Sequence, residues 1–317
     1  MTKDIAARSS GLAACRAEAR RVRWREGVWL GAILLTVLVT FVCFVVFVLE
    51  PSARSSERPT RIVSLIPAVT EMLFAIGAGP QVVAVSSFDH FPPQVRRLPS
   101  VGALVDPDVE RILSLRPDLV AIYGSQTDLR TQLGRARIPV YVYRHAGLAD
   151  VPATIRELGA RVGHADAAAA LARGIETRLA AIRARNAGRP HPRTLIVMGR
   201  EALSLRGIYA SGGVGFIHDM VEAAGGTNVF ADVKKEAVQA TAELILSRRP
   251  DVIIELRADP LSPDMLKREM NVWSAWNSVP AVKNRHVHLI ADDRTVVPGP
   301  RVAEGVEIIA NRLDKAR

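Results

Sequence analysis

Two glutamates stand at matching places in two copies of one short segment. The copies read ERILSLRPD at Glu110–Asp118 and ELILSRRPD at Glu243–Asp251, with seven of nine positions identical. A fixed repeat of this kind indicates two similar structural units. An acidic residue early in a helix is stabilised only slightly by the helix macrodipole. A purely structural role therefore accounts poorly for a glutamate at both position 110 and position 243. Two equal charges at equivalent positions favour a partner with two basic pockets.

The rest of the repeated segment has a structural interpretation. Its isoleucine and leucine, Ile112 and Leu113 in the first copy, are expected to pack the helix against a sheet. Proline ends each helix, and the aspartate after it lies at the turn into an apolar strand. We therefore predict that these positions serve the fold, whereas the two glutamates meet the partner.

Two histidines offer the chain's strongest enzyme-like pattern. His286 and His288 alternate in a strand-like run, so both are expected on one face, and Asp292 and Asp293 follow. A neighbouring third ligand is not evident. No serine lies in a nucleophile elbow, and the glycine-rich segments match neither a phosphate loop nor a dinucleotide fingerprint. We predict no catalytic residue and no metal site, with a metal-dependent hydrolase using the two histidines as the enzyme alternative.

The net charge of +10 on 317 residues is unevenly placed. Residues 1–27 hold seven Lys and Arg against three Asp and Glu. Basic residues elsewhere are scattered, without a long run or an aromatic-interleaved stripe, so nucleic acid is not an expected partner. Both cysteines, Cys15 and Cys43, precede the main body of the chain, which therefore contains neither a disulfide nor a cysteine metal site.

A membrane span is predicted near the N-terminus. Val28–Leu49 is a 22-residue stretch without a charge, long enough at about 1.5 Å per residue to cross a hydrocarbon core of about 30 Å. Arginines precede it, so the positive-inside rule places residues 1–27 in the cytoplasm and the rest of the chain outside the cell membrane. A cleaved signal peptide is the alternative, although the apolar run is longer than usual for one. Residues 50–60 are expected to form a linker.

Strands and helices then alternate through most of the chain, which indicates an α/β fold with mainly parallel sheets. The alternation covers residues 61–147 and resumes over 191–317. Between them, residues 148–190 show helical spacing and no strand signal, with a break expected at Gly163. We predict two α/β lobes bridged by a long helix.

Several motifs, taken in order, resemble the cobalamin and iron–siderophore class of ABC-importer binding proteins. They read RIVSLIPAVTEMLFAIGAG, VAVSSFDHFPPQ, DVERILSLRPDLVAIYG, AAGGTNVF and AELILSRRPDVII, and the resemblance covers Arg61–Arg317. It implies two α/β lobes, a ligand bound between them, and a partner that is an ABC permease dimer with its ATPase subunits. It further implies that Glu110 and Glu243 dock onto arginines of the permease.

The ligand-binding residues are expected in loops that follow the strands. Phe88 and Tyr123 fit the aromatic lining that the resemblance implies for a corrin ring, whereas Leu104 and Ala237 stand where it implies tryptophan. Arginines instead suit carboxylates or the anionic ring of a siderophore or haem. The expected ligand is thus cobalamin, a ferric siderophore or haem, with a membrane-anchored ligand sensor as a further alternative. The predicted ligand-binding residues are Pro67, Phe88, Leu104, Tyr123, Arg144, Arg200, Arg294 and Arg301.

Overall fold

The computed structural model describes residues 58–317 apart from 145–146 and 259. The predicted cytoplasmic segment 1–27 and span 28–49 lie outside the described residues, as does the linker up to residue 57. Among the described helices, none is long and apolar enough to cross a membrane.

The first sheet is parallel throughout and follows the order β2-β1-β3-β4. Its central strands are almost wholly buried, as expected for short apolar runs covered on both faces. The apolar runs Val82–Val85 and Leu119–Tyr123 of the sequence predict two of its four strands with the observed bounds. The strands are β1 (Ile62–Ser64), β2 (Val82–Val85), β3 (Leu119–Tyr123) and β4 (Val140–Tyr143).

The second sheet repeats this arrangement and adds two antiparallel strands. Strands β7, β5, β9 and β10 pair in parallel in the same order as the four strands of the first sheet. Strands β6 and β8 extend the sheet beyond β5 in antiparallel pairing, which the sequence analysis did not predict. The strands are β5 (Arg193–Gly199), β6 (Tyr209–Ser211), β7 (Thr227–Asn228), β8 (Ala237–Gln239), β9 (Val252–Arg257) and β10 (Val287–Ala291).

Helices pack on both sheets and connect them. Proline occupies the first turn of α1, where its missing N–H costs nothing, and Gly77 ends that helix with a φ of +87°. The sequence analysis missed α3, α8 and the short α9. The helices are α1 (Pro67–Ala75), α2 (Val109–Ser114), α3 (Thr127–Arg135), α4 (Asp150–Val162), α5 (Ala165–Asn186), α6 (Phe216–Ala223), α7 (Ala242–Arg248), α8 (Pro263–Asn271), α9 (Pro280–Lys283) and α10 (Val302–Leu313).

Helices α4 and α5 form the connection between the sheets. The break between them falls at Gly163, whose φ of +83° is readily adopted by glycine, and this confirms the predicted short helix followed by a long one. Ile155 of α4, Ile175 of α5 and Val306 of α10 belong to one apolar core that also includes residues of both sheets. The connection is therefore packed into the body of the protein.

The repeated segment has the same backbone structure in both copies. Each aspartate accepts a hydrogen bond from the backbone N–H of an arginine at or just before the first strand of its sheet: Asp118 from Arg61 at 2.9 Å and Asp251 from Arg193 at 3.0 Å. Each arginine also donates from Nη2, at 2.7 Å, to a carbonyl at the end of the repeated helix. These contacts confirm the scaffold role of the aspartates.

One part of the scaffold interpretation is wrong. Ile112 and Ile245 are fully buried, as predicted, but Leu113 and Leu246 are each 37% exposed. The helices α2 and α7 are short, and successive residues are turned about 100° around the helix axis. The isoleucine therefore faces the sheet, and the adjacent leucine is turned toward solvent.

Candidate functional site

A cavity of about 1080 Å³ lies where strands of both sheets end. Its walls come from the segments that follow β1, β2, β9 and β10, together with the start of α10. The carboxyl ends of parallel strands are the usual place for ligand sites in α/β proteins. The lining residues are Pro67, Glu71, Phe88, His90, Phe91, Arg96, Ala258, Pro260, Ala291, Asp292, Asp293, Arg294, Val297, Arg301 and Glu304.

Two phenylalanines give the cavity an aromatic surface. Phe88 is 62% exposed and Phe91 is 37% exposed, although burial of such rings is favourable. Exposed aromatic side chains that line a concave site can contact an apolar or flat ligand. The sequence analysis nominated Phe88 and missed Phe91, whose neighbouring prolines gave no signal of a binding role.

Arg301 joins the two sides of the cavity. It lies at the start of α10, and its Nε donates to Oε2 of Glu71 on α1 at 2.9 Å. Its Nη1 and Nη2 also donate to the carboxylate of Asp293, at 3.0 and 2.9 Å. The guanidinium carbon lies 3.8 Å from the centre of the Phe91 ring, which adds a cation–π contact. This set of contacts, the Arg301 clasp, connects residues 230 positions apart.

Glu71 is the most deeply buried charged member of the clasp. It is 4% exposed, and burial raises the pKa of its carboxyl group while the hydrogen bond from Arg301 opposes that change. A buried carboxylate without a cationic partner is costly, so Arg301 is required to keep Glu71 charged. The clasp therefore fixes the cavity walls through a partly desolvated ion pair.

The second arginine in the cavity is also paired within the chain. Arg294 donates from Nη2 to Asp292 at 2.6 Å and from Nη1 to Glu304 at 3.2 Å. The hydrogen bond from Arg294 lowers the pKa of Asp292. Arg96 is exposed and, within the described residues, makes no ion pair. The positive charge in the cavity is thus largely balanced by its own carboxylates.

Four of the eight predicted ligand-binding residues line this cavity: Pro67, Phe88, Arg294 and Arg301. The others lie elsewhere. Arg200 lines an adjoining cavity of about 510 Å³, where its buried guanidinium pairs with Glu255 at 3.0 Å and Glu269 at 2.8 Å. Sequence reasoning offered no sign of this pairing, because the two glutamates are more than fifty positions away.

The remaining three predicted residues do not line the large cavity. Tyr123 is half-buried and packs edge-on against Tyr143 with ring centres 5.7 Å apart; burial and nearby Asp89 raise the pKa of its hydroxyl. The Leu104 carbonyl accepts a hydrogen bond from Gln126. Arg144 is exposed just after β4.

The histidine pair lies in and just before β10, and the described residues around it form no metal centre. Strand β10 begins one residue after His286, and His288 lies within it. Burial, together with Arg312 and Lys315, lowers the pKa of His288 to about 4, so its ring is neutral at physiological pH. Among the described residues, no group of three or more His, Cys, Asp or Glu side chains is placed to hold a metal ion.

The two repeated glutamates are exposed near the start of their helices. Glu110 follows the N-cap Asp108, and Glu243 follows the N-cap Thr241, so both occupy the second helical position. Neither carboxylate makes a hydrogen bond or an ion pair with the described part of the chain. Their charges are therefore available to an external partner.

Comparison with known proteins places this architecture in a family. The model of the periplasmic binding protein family matches residues 62–293, well over half of the chain. A vitamin B12-binding protein from Pectobacterium carotovorum subsp. carotovorum (strain PC1) is 27% identical over 281 residues, which are 87% of this chain and 96% of that protein.

Two solved structures are similar throughout the described region. The periplasmic vitamin B12-binding protein of Vibrio cholerae has a TM-score of 0.70 and 25% identity, covering 82% of this chain and 98% of its own. The periplasmic heme-binding protein of Roseiflexus sp. RS-1 has a TM-score of 0.69 and 26% identity, covering 81% and 99%. The chain belongs to the periplasmic binding protein family, which confirms the resemblance to substrate-binding proteins of ABC importers. These relatives are named as binding proteins, not as enzymes.

The clasp generates a stability prediction. We expect Arg301→Met to lower the free energy of unfolding by about 3 kcal/mol at neutral pH, because it leaves Glu71 buried without its cation. Adding Glu71→Gln should recover a large part of that loss, since the uncompensated charge is removed. Denaturant unfolding of the two variants measures both values.

Arg294→Met provides the matched control, because Arg294 is more exposed than Arg301 and its carboxylate partners are more exposed than Glu71. Its expected cost is about 1 kcal/mol or less. Equal losses for Arg294→Met and Arg301→Met, with no recovery from Glu71→Gln, would contradict the account of the clasp.

Proposed function

We propose that this chain is the extracytoplasmic substrate-binding protein of an ABC importer and that it captures cobalamin or a closely similar macrocyclic chelate. The cavity of about 1080 Å³ in a chain of the periplasmic binding protein family is the observation that carries this proposal. Small-molecule sites usually measure about 300–1,000 Å³, so the cavity has room for a large ligand. The protein then delivers the ligand to its permease.

The charge balance of the cavity favours cobalamin over the anionic chelates. Arg294 and Arg301 are each held by two carboxylates of the chain. A ferric siderophore or a haem propionate would have to compete with those carboxylates for these two guanidinium groups, and among the lining arginines only Arg96 makes no ion pair within the described residues. Phe88 and Phe91 instead offer apolar faces to a macrocycle that does not depend on ionic contacts. Two of the similar proteins described above are named for vitamin B12 binding, and one for haem binding.

The ligand assignment predicts a selective thermal shift. Cyanocobalamin at about a hundredfold above its dissociation constant should raise Tm by about 5 °C, because it binds only the folded state. Haem and a ferric catecholate siderophore should produce much smaller shifts at equal concentration. Differential scanning fluorimetry of the full chain makes the comparison.

Phe88→Ala should reduce the cyanocobalamin shift. Tyr209→Ala is the control, because Tyr209 is an exposed aromatic residue on β6 outside the cavity. A larger shift with haem or the siderophore would contradict the cobalamin assignment. No shift with any of the three would count against the binding function itself.

The docking of Glu110 and Glu243 onto the permease is part of this proposal. Their exposure, their equivalent positions and their lack of partners among the described residues support it. Glu110→Ala combined with Glu243→Ala should leave the affinity for cyanocobalamin within about twofold of the wild type but abolish uptake. Fluorescence titration and uptake of labelled cyanocobalamin separate the two effects.

Glu157→Ala with Glu236→Ala is the matched control, since both are exposed glutamates outside the repeated segment. Uptake should persist in this variant. The docking assignment fails if the Glu110 and Glu243 substitutions weaken ligand binding as strongly as they reduce uptake.

The domain organisation and the anchor complete the proposal. We assign an N-terminal lobe to 61–147, a bridging segment to 148–190 and a C-terminal lobe to 191–317; the first sheet, α4 with α5, and the second sheet fall within these ranges. Residues 28–49 are proposed to span the membrane once, with residues 1–27 in the cytoplasm, because of their apolar length and the arginines before them.

The anchor predicts an uncleaved N-terminus. Intact mass measurement of the protein extracted from membranes should give a mature chain that retains residues 1–27. A chain that begins near Pro51 would show instead that the apolar segment is a cleaved signal.

A further inference from the structure

The two copies of the repeated segment differ at two positions and agree at the other seven, several of which are exposed. Arg111, which is exposed, corresponds to the partly buried Leu244, and the partly buried Leu115 corresponds to the partly buried Arg248, so these two positions have diverged. Agreement at an exposed position therefore needs a reason, either in the fold or outside it.

The fold explains two of the shared positions. Ser114 and Ser247 each donate from the hydroxyl group, at 2.8 Å, to the backbone carbonyl three residues before. Arg116 and Arg249 have φ values of +48° and +47°, so both form the same left-handed turn before the proline. The hydrogen bonds explain the serines, and the shared turn gives both arginines the same backbone conformation.

No such explanation applies to the leucines. Leu113 and Leu246 have the same exposed fraction, 37%, and each lies three residues after a repeated glutamate. Residues three apart on a helix share one face, so each leucine lies beside its glutamate on the solvent side. We name Glu110, Leu113, Glu243 and Leu246 the paired helix face.

We infer that Leu113 and Leu246 are the apolar half of the contact with the permease dimer. The inference rests on the proposed function and adds contact residues to it. This contact requires a partner with two equal sites, each with a basic group beside an apolar depression. Each helix would then place its glutamate against the basic group and its leucine in the apolar depression.

One glutamate and one leucine of the paired helix face lie in each half of the chain, and this favours a partner with two-fold symmetry. The strand that follows each repeated helix has an equivalent place in the two sheets, because β3 pairs in parallel with β1 as β9 pairs in parallel with β5. The chain thus presents one patch in two copies. A dimer with two-fold symmetry carries two equal surfaces that can bind those copies.

The test compares leucines of equal exposure. The variants are Leu113→Gln and Leu246→Gln, and the control is Leu266→Gln, a leucine on α8 that is also 37% exposed. The full chain of each is titrated against its importer, the permease dimer with its ATPases in lipid nanodiscs. Cyanocobalamin binding and Tm are measured in parallel.

Each of the two single variants should bind the importer with a dissociation constant about fivefold higher than the wild type. In the double variant the increase should be roughly the product of the two single increases. Leu266→Gln should bind as the wild type does. All variants should keep the wild-type affinity for cyanocobalamin and a Tm within about 3 °C, which excludes unfolding as the cause.

Two results overturn the inference in distinguishable ways. Unchanged importer binding by the double variant, with the Glu110 and Glu243 variants still defective, removes the leucines from the contact and leaves the proposed function in place. A wild-type chain that binds cyanocobalamin but not the importer contradicts the proposed delivery function, and the inference falls with it.

Discussion

The buried ion pair between Glu71 and Arg301 connects the two halves of this protein at its cavity. Glu71 lies on the helix that follows β1, and Arg301 lies at the start of the last long helix, so the pair joins the two ends of the described chain. Desolvation makes each charge dependent on the other. Because Phe91 lies under the same guanidinium, the pair also positions an aromatic wall of the cavity. Because Glu71 already binds the guanidinium group of Arg301, this group is less available to an anionic ligand. We therefore expect a ligand that is recognised mainly through its shape and apolar surface.

A duplicated scaffold surrounds this connection. Four parallel strands in one order, a short helix with a buried isoleucine, and an arginine–aspartate pairing occur in both halves. The duplicated scaffold contributes both to the ligand cavity and to the outer surface of the protein. The ends of its strands together form one cavity for a ligand without symmetry, while the outer faces of its repeated helices remain equivalent. The internal cavity and the repeated exterior thus suit a protein that binds a single ligand and then meets a symmetric partner.

Local sequence patterns were sufficient for most of the fold. Apolar runs predict β2 and β3 with their observed bounds, the helical spacing over Val302–Leu313 predicts α10, and Gly163 marks the break in the connection. The same patterns failed where long-range contacts decide the outcome. The polar helix α3 carries few apolar residues, and the short strands β6 and β8 are held in place by pairing with β5 and with each other. Arg200 and Arg301 looked alike in the sequence, but one is enclosed by glutamates in a side cavity and the other reaches across the main one. Their distant partners leave no local signal.

The central claim is that this protein supplies an importer with a cobalamin-like ligand. The most direct measurement is the uptake of labelled cyanocobalamin, at a limiting external concentration, by cells of the source organism that lack the chain. The account predicts that uptake is lost, that the full chain restores it, and that uptake of haem and ferric siderophores persists. Normal uptake of cyanocobalamin in cells lacking the chain would contradict the claim.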